Sequence, residues 1–494
     1  MRLSLHIFSF LSLLGVLPVF AAETPLDIGS RRELFVDRWL IDSTRGAITQ
    51  CLHSPHDEGK VMPFDKPWEG AFCAYSTIIK DGGKYRLYYR GKGGGKDGAG
   101  EVTCYAESED GLHWTKPNLG LYEIAGTKDN NVILTGTGVT HNFSPFLDAH
   151  PGVPETERFK ALGGLHDKSP NGGGLHAFAS ADGIHWRDLH GEAVVTHGAF
   201  DSQNLCFWSE LEQRYVCFLR IFTRGVTTGK EWKAAGLRSV ARTTSTDFVH
   251  WTEPVPMKFQ PAQEYHLYIT QTQPYFRAPH LYIATAARFM PKRAAITDED
   301  AVRLQVDPVY YKSAKDCSDS VLMSSRDGLT YDQTFREALV RPGLDLGQWV
   351  SRSGYPTLNV VPTGAAEMSL YENQNYGQPT AHLHRYSMRL DGFASMHAGY
   401  DGGEFLTKPF RFSCSHLELN CSTSAAGSIR VEIQDEAGQA TSGFTAADNV
   451  ELLGNDLARM VRWKSGNDLS SLAGKTVRLR FLMKDADLYS FRFR

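Results

Sequence analysis

Three acidic residues stand at positions suited to acid–base chemistry. Glu69, Asp201 and Glu264 each lie just before a β-rich segment, in the stretches KPWEGAFCAY, AFDSQNLCFW and QEYHLYI. Like charges raise one another's pKa, so one carboxyl group can stay protonated while another stays ionised. Hydrolysis of a glycosidic bond requires such a division between an acid and a nucleophile or base. We therefore take these three residues as candidate catalytic groups, provided that the fold brings them together.

Polar and basic side chains of the same segments are candidates for binding a substrate. They are His141, Asn142, Gln203, Asn204, His266, Arg277, Asp319 and Arg352. Asp319 begins a later strand of its unit, and we expect it to support an arginine such as Arg277. The sequence has no HExxH, GxSxG, P-loop or dinucleotide-binding pattern in a suitable context, so we expect neither a metal ion nor a cofactor.

A short motif recurs along the chain and defines its organisation. Its copies are SEDGLHW at 108–114, SADGIHW at 180–186, STDFVHW at 245–251, SRDGLTY at 325–331 and a degenerate RLDGFAS at 389–395. Each copy has an Asp and most have a Gly, which is the chemistry of a tight turn between strands. Several β-rich runs precede each copy, and helical periodicity is nearly absent. Three or four strands per unit in five units predict a β-propeller.

The predicted fold is therefore all-β, a five-bladed β-propeller over 30–395 followed by a C-terminal antiparallel β-sandwich over 396–494. The alternative is a sandwich in which the turn motifs are similar by accident. A propeller must protect its first and last edges, and we expect ELFVDRWLID at 33–42 to close the ring. The innermost strands run parallel to one another about the axis, so their starts share one face. This arrangement places the candidate residues at one mouth of the central channel.

The N-terminal segment and the net charge of the chain indicate where the protein acts and which partners it does not bind. Residues 1–21 read as an export signal, with Arg2 before an apolar run and small residues at the cleavage site, which predicts a secreted or periplasmic protein. The alternative is a membrane anchor, but the run is short and carries polar residues. The net charge is −4 with no basic stripe, which argues against nucleic acid as a partner.

The chain resembles the furanosidase-type five-bladed glycoside hydrolases of families 32 and 43, and most closely the exported bacterial family 32-like proteins. The segments that carry the resemblance are ELFVDRWLID, PWEG with YRLYYRG, NFSPFLDAHPGVPETERFKALGG, FDSQNLCFW and QTQPYFRAPHLYI. The family pattern implies an Asp nucleophile or base, an Asp that tunes pKa and a Glu acid. Here the first entry has Glu69 without an NDPNG segment, and the second has Asn142 without an RDP segment.

These features predict an extracytoplasmic glycoside hydrolase that acts on a plant or algal oligo- or polysaccharide. One alternative is a propeller that binds carbohydrate without catalysis. A sialidase-like enzyme is the other, since the turn motif resembles that of sialidases. Five repeats in place of six, and the lack of a clear set of three mouth arginines with a Tyr nucleophile, count against it.

Overall fold

Five β-blades and a β-sandwich make up the structure, a computed structural model that describes residues 25–92, 100–165, 173–227 and 233–494. The predicted all-β class, with a five-bladed β-propeller and an antiparallel β-sandwich, is confirmed. The export signal expected at 1–21 lies outside the described residues.

Blades 1 to 3 are four-stranded antiparallel sheets whose strands follow one another along the chain. The strands of blade 1 are Ala74–Asp81, Lys84–Lys92, Glu101–Ser108 and Val132–Thr135. Those of blade 2 are Ser144–Leu147, Phe159–Gly163, His176–Ser180 and Arg187–Asp188. Those of blade 3 are Leu205–Ser209, Arg214–Val226, Lys233–Ser245 and Val255–Pro256. Both faces of their inner strands are buried, because each blade packs against a neighbour on either side.

Blades 4 and 5 have a broken innermost strand. The strands of blade 4 are Lys258–Gln260, His266–Leu267, Thr272–Tyr275, Ala278–Met290, Cys317–Ser325, Thr330–Asp332 and Ala338–Val340. Those of blade 5 are Tyr355–Pro356, Val361–Pro362, Glu367–Gln374, His382–Arg389 and His56–Pro63. The last of these comes from the other end of the chain.

The ring is closed by His56–Pro63, which pairs antiparallel with His382–Arg389 as the outer strand of blade 5. The segment expected to close the ring, 33–42, lies elsewhere, because its apolar residues are divided between two cores. Phe35 packs in the sandwich and Val36 packs against blades 4 and 5. Residues 33–42 therefore join the propeller to the sandwich.

The sandwich takes strands from both ends of the chain. They are Leu26–Gly29, Glu33–Leu34, Ile41–Leu52, Ala394–Thr407, Phe410–Phe412, Leu417–Asp435, Asn455–Met460 and Val477–Phe493. Ile41–Leu52 pairs with Ala394–Thr407, which in turn pairs with Val477–Phe493. The expected boundaries at 30 and 396 thus omit the N-terminal strands, whose pairing is between segments far apart in sequence.

The recurring turn is a hydrogen-bonded unit at the end of the third strand. In blade 2 the Ser180 hydroxyl accepts the N–H of Gly183 at 2.9 Å, and Asp182 Oδ1 accepts that of His185 at 2.8 Å. The Trp186 indole N–H donates to the Gly183 carbonyl at 3.1 Å. The same bonds recur in the first and third copies. The motif is therefore structural and lies at the end of each blade opposite the mouth.

These turns also bind each blade to the one before it. The Tyr371 hydroxyl of blade 5 donates to the Gly111 carbonyl of the first copy at 2.6 Å. Gly183 has a φ of 76°, and a Cβ there would overlap the Tyr88 hydroxyl of blade 1. The glycine is needed both for the left-handed backbone and for the close approach.

The degenerate fifth copy has a different role, at the junction with the sandwich. Asp391 is fully buried and accepts a hydrogen bond from the Tyr275 hydroxyl of blade 4 at 2.9 Å. It also accepts from the Ser490 hydroxyl at 2.6 Å and from the Asn420 amide at 3.0 Å, and pairs with Arg32 at 3.4 Å. Since buried charges require such partners, this carboxylate ties the propeller to the sandwich.

Helices are short and lie in the connections. The α-helices are Thr137–Thr140, Asp298–Arg303 and Pro308–Ser313, and the 3-10 helices are Glu155–Glu157, Leu346–Trp349 and Ser470–Leu472. Within the described part of the chain, no helix has the length and apolarity needed to cross a membrane.

The turn motif yields a stability prediction. Asp182→Ala removes the acceptor of the turn's backbone N–H groups and the partner of His185. We expect the free energy of unfolding to fall by about 1–2 kcal/mol, as for the loss of a capping side chain. Urea denaturation measures it, with the exposed Asp129→Ala as a matched control.

The same variant has a defined pH dependence. Desolvation opposes ionisation of Asp182, but hydrogen bonds from the His185 ring and the turn backbone outweigh it and lower the pKa of the carboxyl. The stabilisation is therefore complete above the unfolded-state pKa of about 4 and is lost as the pH falls below it. A difference between Asp182→Ala and the parent that persists undiminished at pH 2 would contradict this account.

Candidate functional site

The first strands of the five blades all begin at one face, and the segments that precede them surround the mouth of the central channel. Aromatic rings join these segments across blades. Tyr268 of blade 4 lies 5.1 Å from Tyr355 of blade 5, which lies 6.4 Å from Tyr75 of blade 1, between ring centroids. All three rings are buried, so they form a rigid floor beneath the mouth.

Three arginines surround one ring of that floor. The guanidinium carbons of Arg220, Arg238 and Arg352 lie 5.5, 5.2 and 5.1 Å from the centroid of Tyr268. Such cation–π contacts are worth about 0.5–2 kcal/mol each. The expectation that the mouth has no clear set of three arginines is therefore wrong: these residues are far apart in sequence, and only the fold brings them together.

A fourth arginine, Arg90, braces the blade 1 side of the mouth. Its guanidinium lies 4.4 Å from the Tyr75 ring and donates to the Tyr376 hydroxyl at 2.9 Å. It also donates to Asn142 Oδ1 at 3.0 Å and to the Phe72 carbonyl at 3.1 Å. The predicted substrate-binding residue Asn142 is thus at the mouth, where it holds this arginine.

Strained backbone occurs in the segments that enter the first strands of four blades. Tyr75, Asn142, Gln271 and Arg352 have φ of 56°, 49°, 45° and 63°, and each belongs to a different blade. A left-handed conformation costs a residue with a side chain about 1–2 kcal/mol. Such strain also occurs in turns elsewhere in the chain, for example at Phe248 and Asp391, so at the mouth it adds to the evidence of the arginines and of Asp201.

A chain of three ionisable groups leads into the mouth. The His141 Nε2 lies 3.3 Å from Asp201 Oδ1, and its Nδ1 lies 2.8 Å from Glu101 Oε1. The Asp201 side chain is 58% exposed, whereas those of His141 and Glu101 are buried. Asp201 also lies 4.0 Å from Arg220. Among the described residues, no group of three or more His, Cys, Asp or Glu side chains has the geometry of a metal site.

This arrangement keeps Asp201 ionised. Desolvation by the surrounding loops opposes ionisation, but the hydrogen bond from His141 and the charge of Arg220 outweigh it and lower the pKa of the carboxyl. For His141, burial favours the neutral ring, but the hydrogen bonds to Asp201 and Glu101 outweigh it and raise the pKa of the imidazole. The mouth therefore presents an accessible carboxylate beside an imidazole whose pKa is raised by two carboxylates.

Glu69 lies inside blade 1 and not in contact with Asp201. Its carboxylate is fully buried and accepts from the Tyr89 hydroxyl at 2.6 Å and from the Lys66 N–H at 2.8 Å. Lys116 completes the site at 2.8 Å. These contacts engage both carboxylate oxygens, which is the environment of a structural ion pair.

Glu264 and Asp319 lie away from the mouth centre as well. The Glu264 side chain is 65% exposed and pairs with Arg336. Asp319 pairs with Arg288, whose Nε lies 2.7 Å from its Oδ1, and not with Arg277 as expected. The three candidate catalytic carboxylates are therefore not brought together.

Two predicted binding residues support arginines of the mouth. Asn204 Oδ1 accepts the backbone N–H of Arg220 at 3.2 Å, and His266 Nδ1 accepts that of Arg238 at 3.0 Å. Both side chains act on the backbone, and they hold the strands from which the guanidinium groups extend.

Two other predicted binding residues lie off the mouth. Gln203 is buried in the channel, where it donates to Thr77 Oγ1 at 2.9 Å and accepts from Gln271 at 2.7 Å. Arg277 lies 3.4 Å from Asp391, near the sandwich. Arg352, in contrast, lies at the mouth as predicted.

Sequence reasoning missed Arg90, Arg220, Glu101 and Tyr268. A signal for two of them was present: YRLYYRG and YVCFLR, the second strands of blades 1 and 3, both place an arginine near their mouth end. Glu101 begins the third strand of blade 1, whereas Arg238 lies in the middle of the third strand of blade 3. Examining the second and third strands, as well as the starts of the first strands, would have drawn attention to these positions.

A cavity of about 540 Å³ opens at the other end of the channel and is lined mainly by apolar side chains such as Ile78, Phe146, Trp208 and Val360. Another, of about 580 Å³, lies beside Asp319 and Trp349. Neither is lined by His141 or Asp201, and the reactive groups converge at the mouth, which we therefore take as the candidate site.

No family model matches this chain. An uncharacterized protein of Mycobacterium tuberculosis (strain ATCC 25618 / H37Rv) is 28% identical over 153 residues, which cover 29% of this chain and 45% of that protein. The match thus spans less than half the length of the curated relative.

Similar solved structures include a glycoside hydrolase, at 14% identity and a TM-score of 0.46 over 68% of this chain and 92% of that one. An N-acetylgalactosamine deacetylase from F. plautii has 12% identity and a TM-score of 0.43, over 70% and 97%. A thermostable family-43 glycoside hydrolase has 12% identity and a TM-score of 0.41, over 65% and 92%. These values are too low to assign a family or an activity, and the resemblance to families 32 and 43 stays a prediction.

The placement of Glu69 yields a test of its role. Glu69→Ala leaves the Tyr89 hydroxyl without its acceptor and leaves Lys116 with Asp65, at 3.1 Å, and the Pro63 carbonyl as its partners, and we expect the free energy of unfolding to fall by about 1–3 kcal/mol. Adding Lys116→Met should change this loss by less than the sum of the single effects, because the Glu69–Lys116 pair is then absent from both variants. Urea denaturation of the single and double variants measures the coupling. An unchanged unfolding midpoint with abolished activity would instead assign Glu69 to catalysis.

Proposed function

We propose that the propeller mouth is the active site of a glycoside hydrolase in which Asp201 is the nucleophile or base. The observation that carries the proposal is an exposed carboxylate, held ionised by His141 and Arg220, at the point where the five blades converge. Cleavage of a glycosidic bond needs an ionised carboxylate of this kind. Asp201 was predicted from its position at the entry of blade 3.

His141 acts through Asp201 as a positioning residue. Its Nδ1 bonds to the buried Glu101, while its Nε2 lies 3.3 Å from Asp201 and 3.0 Å from the Asn142 amide nitrogen, so three side chains determine its ring orientation. A protonated imidazole in this position stabilises the ionised form of Asp201. The hydrogen-bond chain thus keeps the mouth carboxylate charged and in one orientation.

A second candidate function is carbohydrate binding without catalysis. It is favoured by the placement of the other candidate acids, since Glu69 is paired inside blade 1 and Glu264 pairs with Arg336. A hydrolase needs a proton donor in addition to Asp201. Turnover distinguishes the two candidates, because a binding propeller retains affinity for a glycan and releases no product.

The role of Asp201 is tested by Asp201→Asn. This change removes the negative charge and preserves the shape, and we expect kcat on a cleaved glycan to fall about 10²–10⁴-fold. The matched control is Asp188→Asn, which alters an Asp–His pair of the same 3.3 Å separation at the outer strand of blade 2. Steady-state kinetics on a glycan panel measures both variants.

The outcomes of that experiment separate the candidates. Hydrolysis by the parent and by Asp188→Asn, with strong loss in Asp201→Asn, supports the hydrolase. Binding by the parent without turnover on any glycan supports the binding propeller. Equal activity of Asp201→Asn and the parent contradicts the assignment of Asp201.

The role of His141 is tested by the pH dependence of His141→Gln. Because His141 lowers the pKa of Asp201, its removal raises that pKa, and the base is then lost at higher pH on acidification. We expect the acidic limb of kcat/KM to move to higher pH, while the rate on the neutral plateau changes less. A uniform loss of rate with an unmoved acidic limb would show that His141 does not act through Asp201.

A further inference from the structure

The mouth holds more positive charge than its own carboxylates balance. Four guanidinium groups lie at the mouth together with the carboxylates of Asp201 and Glu101 and, beside Ser351, that of Asp316; the pKa of His141 is raised by its hydrogen bonds to the first two, against the effect of burial. From this we propose that the substrate is an acidic saccharide whose carboxylate or sulfate ester binds Arg238 and Arg352. The inference rests on the proposed function, because it takes the mouth as the active site.

Two of the arginines are already engaged. Arg220 lies 4.0 Å from Asp201, and its Nε donates to the Ala199 carbonyl at 2.9 Å. Arg90 donates to Asn142 and to the Tyr376 hydroxyl. These two groups are therefore part of the scaffold of the mouth.

Arg238 and Arg352 are different. In the described part of the chain, neither guanidinium has a carboxylate within 4.0 Å, and the Nε of each is buried without a hydrogen-bond partner. A desolvated cation without a counterion is costly. An anion supplied by the substrate removes that cost, since guanidinium binds carboxylate or sulfate through two parallel hydrogen bonds.

Aromatic packing holds these two guanidinium groups in place. Arg352 lies over the rings of Tyr268, Tyr310 and Tyr376, at 5.1, 5.5 and 5.9 Å. Arg352 also has a left-handed backbone, with a φ of 63°, and such strained conformations are often found where a side chain is held in position for binding. A group held in its bound position before the ligand arrives loses little entropy on binding.

Arg238 is held in the same way, over the rings of Phe222, Tyr268 and Phe289 at 5.4, 5.2 and 5.0 Å. Both guanidinium groups pack within 5.2 Å of the centroid of the same Tyr268 ring, and on this ground we assign them to one site for an anionic group. Lysines in their place would carry the charge but not the planar fork.

The anion site adjoins the proposed catalytic carboxylate. Arg220, which neighbours Asp201, packs on the same Tyr268 ring as Arg238 and Arg352. The charge of Arg352 is also among the influences that keep Asp201 ionised. The acidic group and the scissile bond therefore belong to the same sugar residue or to adjacent ones.

Binding to matched sugars tests the inference with the full-length protein. The probes are methyl glycosides of glucuronate and galacturonate, glucose and galactose 6-sulfates, and neutral glucose and galactose. We expect an acidic probe to bind about 10–100-fold more tightly than its neutral counterpart by titration calorimetry. Affinity should also fall as NaCl rises, a readout that needs no variant. Preference for the uronates assigns a carboxylate, and preference for the sulfates assigns a sulfate ester.

Variants locate the site. Arg352→Gln and Arg238→Gln, made separately, should each weaken acidic binding about tenfold or more and reduce the ratio of acidic to neutral affinity by a similar factor. Arg336→Gln, which alters an arginine paired with Glu264 away from the mouth, is the matched control. Circular dichroism establishes that each variant is folded.

The results distinguish this inference from the proposed function. Equal binding of acidic and neutral probes, absence of binding by any acidic probe at millimolar concentration, or equal binding by the arginine variants overturns the acidic specificity, and hydrolysis of a neutral glycan then leaves the hydrolase standing. Acidic binding that depends on Arg238 and Arg352, without turnover on any acidic glycan, supports the anion site and overturns the hydrolase.

Discussion

The hydrogen-bond ladder between His56–Pro63 and His382–Arg389 closes the ring on which the rest of the structure depends. It supplies blade 5 with its outer strand and removes two exposed edges at once. Closure also requires every blade to present its first strand in the same direction. The loops that enter those strands therefore meet at one mouth, where Asp201, His141 and the arginines lie.

The mouth is built from interactions that are individually weak and collectively restrictive. Buried tyrosines form the floor, and guanidinium groups pack on them at 4.4–5.5 Å. Asn204 and His266 hold the strands that carry two of these arginines. Reactive groups are thereby fixed before a ligand arrives, at the cost of strained backbone in four blades.

The degenerate fifth copy of the turn motif, at 389–395, binds the sandwich to the propeller. Four turn copies close blades through Ser and Asp hydrogen bonds to the backbone. In the fifth, Asp391 is instead buried between the domains with Arg32 and Ser490. The N-terminal strands of the sandwich lead into His56–Pro63 of blade 5, and the chain returns to the sandwich after blade 5.

The sequence by itself determined the fold class, the number of blades and the phase of each blade, because tight turns depend on local residues such as Asp182 and Gly183. The positions of the turn motifs show which residues precede the first strand of each blade, and this was enough to place Asp201, His141, Asn142 and Arg352 at the mouth. Only the tertiary structure decided which strand closes the ring, that Glu69 and Glu264 are paired elsewhere, and that three arginines share one tyrosine. Those outcomes depend on contacts between segments distant in sequence, whose partners no local pattern specifies.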